Sequence, residues 1–111
     1  MRRFLAAGLL SLTLAFAGSA ARADNPTFSL TIKDHQFSPA ELTVPANTRV
    51  QLKIKNLDTT AAEFESKDFK AEKVIPPGKE VTVMIPALKP GTYGFFDEYH
   101  EATTKGRLIV Q

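Results

Sequence analysis

The chain contains no cysteine and no tryptophan, and its only methionines are Met1 and Met84. Without cysteine no disulfide can support a small fold, and no thiolate can act as nucleophile or soft metal ligand. Ions that select sulfur, such as Cu(I), are disfavoured for the same reason. Long apolar runs are scarce: the stretch Phe4 to Phe16 is shorter than the about 20 residues that a membrane span requires. Catalytic signatures are missing too. There is no G-x-S-x-G, no Gly-rich phosphate loop and no H-E-x-x-H. No arrangement of Ser, His and acidic residues identifies a nucleophile, so no enzymatic activity is assigned. Aromatics interleaved with basic residues, the pattern of single-strand nucleic-acid binding, are absent.

Residues 1–23 read as a secretory signal peptide. Arg2 and Arg3 form a basic start, Phe4 to Phe16 is the apolar segment, and Ala21 and Ala23 occupy the small-residue positions of a cleavage site before Asp24. A membrane anchor is the alternative reading of the same run. Cleavage would leave residues 24–111 as one small exported domain, in a setting that permits disulfides this chain does not use. Removing Arg2, Arg3 and Arg22 leaves 11 basic residues against 12 acidic ones. The basic pI is therefore a property of the leader and implies no nucleic-acid partner.

The remainder is a series of short alternating segments separated by turn signals. Phe28, Leu30 and Ile32 alternate with polar residues, as do Leu42 with Val44, Val50 with Leu52 and Ile54, and Val81 with Val83 and Ile85. Such period-2 patterns predict strands with one buried face. Segments 34–40, 45–48, 76–79 and 86–91 carry Pro, Gly, Asn or Asp and predict turns. The EFES segment contributes Phe64, and the charged stretch Lys67 to Lys73 is a loop or a short helical turn. Seven or eight short strands with no long helix predict an all-β fold, a Greek-key antiparallel β-sandwich, with a small OB-type barrel as the second choice.

The segment GTYGFFDEYHEATTKG, residues 91–106, carries the most chemistry. Tyr93, Phe95 and Asp97 share one face of an extended chain. A carboxylate at the end of a core-facing row must be compensated by a cation, hydrogen bonds or solvent. Gly106 is expected to allow a turn into the last apolar run. The nitrogen and oxygen donors available for a metal are His35, Glu63, Glu65, Asp97, Glu98, His100 and Glu101. In a sandwich, loops 34–37, 57–65 and 97–105 can meet at one end. Each donor also has a plain reading: His35 and His100 as loop histidines, Glu63 as the wet face of a strand, Glu98 and Glu101 as surface charges.

These motifs resemble the cupredoxin family over nearly all of residues 24–111. IKDHQFSPAELTVPANTRVQLKIKNLD is similar to the family's opening, I-x4-F-x-P followed by V-x-A-G-x-x-V and N-x-D, with Asn47 where many members have Gly. KPGTYGFFDEYHEATTKGRLIV is similar to the closing pattern P-G-x-Y-x-F-x-C-x2-H-x3-M-x-G-x-L-x-V. The resemblance puts Asp97 at the copper-cysteine position, His100 at the second-histidine position and Thr104 at the axial-methionine position. Glu63 falls at or next to the first-histidine position. A blue-copper centre requires the thiolate, so ordinary blue-copper electron transfer is not expected.

EFES, EKVIPPGKEV and FFDEYH look like the cupredoxin-like domain of EfeO-type proteins and the stand-alone FtrB-like periplasmic proteins. That resemblance implies a periplasmic metal-binding protein of ferrous-iron uptake, by Fe(II) oxidation or by relay of iron or electrons, acting with an iron permease and other periplasmic components and meeting the membrane only through a partner. It implies a copper or iron ion at a His/carboxylate site, with Glu63, Asp97 and His100 as first ligands and His35, Glu65 and Glu98 next. The rival functions are a metal-free periplasmic adaptor and a copper chaperone or resistance protein.

Overall fold

The structure is a computed structural model that describes residues 25–111. The leader and its cleavage point lie outside the described residues. The elements in chain order are β1 (Thr27–Lys33), β2 (Gln36–Ser38), β3 (Glu41–Val44), β4 (Val50–Asn56), β5 (Ala62–Ser66), β6 (Ala71–Ile75), β7 (Glu80–Ile85), β8 (Gly91–Asp97), a 3-10 turn at Glu98–His100, and β9 (Lys105–Val110). They form a four-stranded sheet in the order β2-β1-β4-β7 and a five-stranded sheet in the order β3-β9-β8-β5-β6. The all-β sandwich expected from the alternating patterns is present. Its sheets are mixed, because β1 runs parallel to β4 and β3 parallel to β9.

The alternating residues bury as their spacing requires. Leu30 and Ile32 of β1, Val50, Leu52 and Ile54 of β4, and Val83 and Ile85 of β7 face Phe64, Ile75, Phe95, Leu108 and Val110 of the other sheet. Burying an aliphatic or Phe side chain of this size contributes roughly 1.5–3 kcal/mol. Under the 91–106 segment the core is aromatic. The Phe37 ring meets Phe95 edge-on at a centroid distance of 4.9 Å, and Phe64 lies 5.2 Å from Phe95. Such pairs stabilise beyond their buried area.

Several local expectations change. Gln36–Ser38 is a strand, so β1 and β2 form a hairpin whose two-residue turn is Asp34–His35. Both turn residues have positive φ, 51° and 57°, the conformation that tight hairpin turns demand. Lys67 to Lys73 is neither loop throughout nor helix: its second half begins β6, which pairs with β5 and sets Glu72 directly opposite Glu65. Gly106 is inside β9, opposite Phe95, rather than in a turn. A Cβ there would lie 2.5 Å from the Phe95 ring and 2.9 Å from the Ala40 carbonyl oxygen, so the glycine makes room for the ring. Asn47 takes φ 54°, which explains why the glycine of the family pattern can be replaced by asparagine, a residue that tolerates the left-handed region.

Side chains finish what the β5–β8 ladder leaves open. Those strands pair only at Phe64 with Asp97 and Glu65 with Phe96. Beyond that, Ser66 Oγ donates to the Gly94 carbonyl at 2.7 Å, and Asp68 Oδ2 accepts from the Gly94 N–H at 2.7 Å.

Candidate metal centre

Asn56 starts the chain of contacts that shapes the loop end. It is fully buried at the end of β4. Its Nδ2 donates to the carbonyls of Thr60 and Ile75 at 2.8 and 3.0 Å, and its Oδ1 accepts from the Asp58 N–H at 2.9 Å. This places Asp58 beneath the Asp34–His35 turn. Asp58 Oδ1 accepts from Asp34 N–H at 2.6 Å, and Oδ2 accepts from His35 N–H at 3.0 Å. Burial pulls the Asp58 pKa upward, but those two backbone donors and the nearby His35 and His100 hold it below the ordinary value.

Asp97 closes the same end from the other sheet. Its carboxylate is 1% exposed, and its partners consume it. Oδ1 accepts from Glu63 N–H at 2.8 Å and from Tyr99 N–H at 3.0 Å, the second bond capping the 3-10 turn. Oδ2 lies 2.9 Å from His100 Nδ1. Hydrogen bonds are thus the compensation for the carboxylate that ends the aromatic row. Thr104, also buried, donates from Oγ1 to the His35 carbonyl at 2.6 Å, and its own carbonyl accepts from Asp97 N–H. The His35 and His100 rings stack at a centroid distance of 4.0 Å.

Glu63 points elsewhere. Only its backbone N–H reaches Asp97; its side chain is on the outer face of the five-stranded sheet, where a second group of acids gathers. Oxygens of Glu63, Glu65 and Glu72 all lie within 4.8 Å of one another. Glu98 joins them from the 3-10 turn by a hydrogen bond to Glu65. A proton shared with Glu72 is the main reason the Glu63 carboxyl is pushed up to about 7, with partial desolvation and the charges of Glu72, Glu98 and Glu65 adding to it. Glu65 is raised chiefly by its hydrogen bond to Glu98, against which Lys67 acts weakly. Like charges set opposite each other on a sheet are destabilising, so this face stores repulsion that a cation would relieve.

The sequence-derived candidates therefore divide into two groups. Asp97, His100 and His35 meet at the loop end; Glu63, Glu65 and Glu98 meet on the outer sheet face. Glu101 is exposed and has no part in either group. Two contributors were missed. Glu72 was hidden in a stretch read as loop or helical turn; a β5–β6 hairpin register would have revealed it. Asp58 is the last residue of the N-x-D motif, noticed as a pattern without its role under the hairpin.

The profile of the Cupredoxin-like domain family matches residues 6–110. The chain belongs to the cupredoxin-like domain family. An uncharacterized protein of Rickettsia prowazekii is 42% identical over 81 residues, which is 73% of this chain and 65% of that protein. This chain therefore spans less than two thirds of that relative's length. Among solved structures, auracyanin A, a "blue" copper protein from Chloroflexus aurantiacus, superposes with a TM-score of 0.68 at 18% identity, covering 79% of this chain and 100% of that one. Amicyanin from Paracoccus versutus gives 0.59 at 15% identity, covering 82% and 85%. A purple cupredoxin from Nitrosopumilus maritimus gives 0.57 at 18%, covering 75% and 98%. At these identities the likeness concerns the fold.

The donor set does not fit a blue-copper ion. The thiolate is missing, and the Asp97 that stands in its place already has three partners. His100 Nδ1 is turned to Asp97, and the hydroxyl at the axial position is bonded to a carbonyl. These side chains satisfy one another, leaving no buried polar atom that calls for a metal there.

Proposed function

We propose that this protein is an exported, metal-handling member of the cupredoxin-like family that binds iron on its glutamate face and passes it to an iron permease during ferrous-iron uptake. The observation that carries the reading is the convergence of Glu63, Glu65 and Glu72, with Glu98 beside them, on one face where Lys67 offsets their charge only weakly. Carboxylate oxygens suit hard cations. They stabilise Fe(III) relative to Fe(II), so an ion bound there is easier to oxidise. Placement near neutral pH matters as well: a Glu63 carboxyl that titrates at about 7 is partly protonated in the apoprotein, and a cation must displace that proton. The iron-uptake setting is supported by the likeness of EFES, EKVIPPGKEV and FFDEYH to EfeO-type and FtrB-like proteins.

The test is calorimetry of Fe(II), under anaerobic conditions, and of Fe(III) as a weak chelate, at two pH values. The wild type should bind one ion and release protons between pH 6 and 7, and a Glu63→Gln, Glu65→Gln variant should bind at least about tenfold more weakly. Equal affinity in the two proteins would remove iron from the glutamate face. If the double variant still co-purifies with the permease but no iron binding is found in either protein, the adaptor reading replaces this one.

A further inference from the structure

Where β5 turns away from β8, the outer face of the five-stranded sheet carries a groove of about 600 Å³. The two strands last pair at Glu65 with Phe96. Beyond that point the side chains of Ser66 and Asp68 hold the following turn to β8, through the carbonyl and N–H of Gly94. In the β8–β9 register Gly94 is opposite Arg107 and Phe96 is opposite Lys105, so these four residues share the outer face. A Cβ at Gly94 would meet only Asp68 Oδ2, at 3.7 Å. The missing side chain therefore opens the floor beside the Phe96 ring.

The charges around the groove balance, with Lys67, Lys105 and Arg107 against Glu41, Asp68 and Glu101. Their engagement does not balance. Arg107 is ion-paired to Glu41, and one oxygen of Asp68 accepts from the Gly94 N–H. Among the described residues Lys67 and Lys105 have no ion-pair partner. Both stand at Phe96. Lys67 Nζ is 5.6 Å from the ring centroid, and Lys105 is the directly opposed residue of β9; such opposed side chains begin about 4.5–5.5 Å apart. The Phe96 side chain is half-buried, so its ring keeps an open face.

We propose that this groove binds a small aromatic carboxylate, its ring against Phe96 and Gly94 and its carboxylate between the Lys67 and Lys105 ammonium groups. The apolar half follows from the floor. An open aromatic ring favours a second ring, offset or edge-on, and the glycine beside it leaves space for that ring at the level of the backbone. The charged half follows from the two ammonium groups, each of which can donate a charge-assisted hydrogen bond to a carboxylate. The flexible Lys67 stem lets its ammonium turn from the Phe96 ring to a carboxylate at the ring's edge. Asp68 and Glu101 restrict the ligand to a single negative charge, because a second would meet them. The volume is within the range of about 300–1,000 Å³ found for small-molecule sites and admits one or two fused rings. The site uses none of the clustered glutamate carboxyls and does not depend on iron binding there.

The experiment is a titration of the purified protein with 2-naphthoate, followed by amide NMR and by the ligand's own fluorescence, which no tryptophan obscures. Saturable shifts should centre on Gly94, Phe96, Lys105 and Arg107. The Lys67→Gln, Lys105→Gln variant is altered only at exposed positions and should bind at least about tenfold more weakly. A second reading needs no variant: 2-naphthamide keeps the rings without the charge and should bind the wild type at least about tenfold more weakly than naphthoate does. Acetate at equal concentration should not displace naphthoate. The Glu63→Gln, Glu65→Gln variant should bind naphthoate at least as tightly as the wild type, which separates failure of this site from failure of the glutamate face. Equal affinity in the lysine variant, equal affinity for the amide, displacement by acetate, loss of binding in the glutamate variant, or shifts centred outside the groove would each overturn the proposal.

Discussion

Asp97 and Glu63 touch one another, yet they are opposite kinds of carboxylate. Asp97 is buried and receives two backbone N–H bonds and an imidazole. Glu63 is half-buried, and its side chain meets other carboxyl groups. The peptide N–H of Glu63 completes the first environment while its side chain creates the second. Donors around a carboxylate make it a structural part; acids around it make it an attractor of cations. The difference lies in the pleat, since a residue's side chain in a strand points away from the face its neighbours occupy. The loop end is thus filled with hydrogen bonds, and the carboxylates that face one another gather on the outer sheet face.

The strongest way to break this contrast is to remove the satisfied carboxylate. Asp97→Ala leaves the Glu63 and Tyr99 N–H groups and His100 without their acceptor, and should cost about 3–5 kcal/mol in denaturant unfolding. A loss under 1 kcal/mol would mean that the end is not held as described. Gly106→Ala tests the aromatic floor beneath it. The added methyl meets the Phe95 ring and the Ala40 carbonyl oxygen, so a loss of about 2 kcal/mol is expected, and an unaltered melting temperature would contradict the close approach. Asp58→Ala should cost about 1–2 kcal/mol by freeing two backbone donors of the hairpin turn, with faster amide exchange at Asp34 and His35 as the local check.

The glutamate face should respond with the other sign. In metal-free protein at pH 8, Glu63→Gln relieves repulsion and should raise the melting temperature slightly, where Asp97→Ala lowers it steeply. Stability should also vary with pH in a defined window. The Glu63 carboxyl titrates near 4.5 when unfolded and at about 7 when folded. A raised folded-state value means that the folded protein holds the proton more tightly, so this contribution is present below about pH 4.5 and is lost as pH rises through about 7. Melting temperatures of the metal-free wild type should therefore decline over that interval, and the decline should be shallower in Glu63→Gln. Parallel profiles for the two proteins would remove Glu63 from the account.

The two regions were unequally legible in the amino-acid sequence. Period-2 rows such as Val50, Leu52 and Ile54 announce buried strand faces, because alternation across a strand is a local property. The parallel pairing of β1 with β4 and β3 with β9 is not local, and nothing in either strand marks its direction. Asp97 was recognisable as a carboxylate needing compensation, since it continues the row of Tyr93 and Phe95. Its actual partners were out of reach, because two of them are main-chain N–H groups that carry no residue signature. The glutamate face depends on register: Glu65 faces Glu72 only once β5 and β6 are paired, and the lysine-rich stretch between them resembles a loop. Glu63 was a candidate for its oxygen donors, and its side chain turns away from Asp97 because alternate strand residues face opposite ways.

The central claim is that a hard cation binds to the outer glutamates and not to the Asp97–His100 end. X-ray absorption at the iron edge, on protein loaded with one equivalent of Fe(III), tests it most directly. The first coordination sphere should be oxygen alone, with no imidazole scattering, and should be lost in the Glu63→Gln, Glu65→Gln variant. An iron sphere containing imidazole nitrogen, unchanged in that variant, would place the ion at the histidines and contradict it.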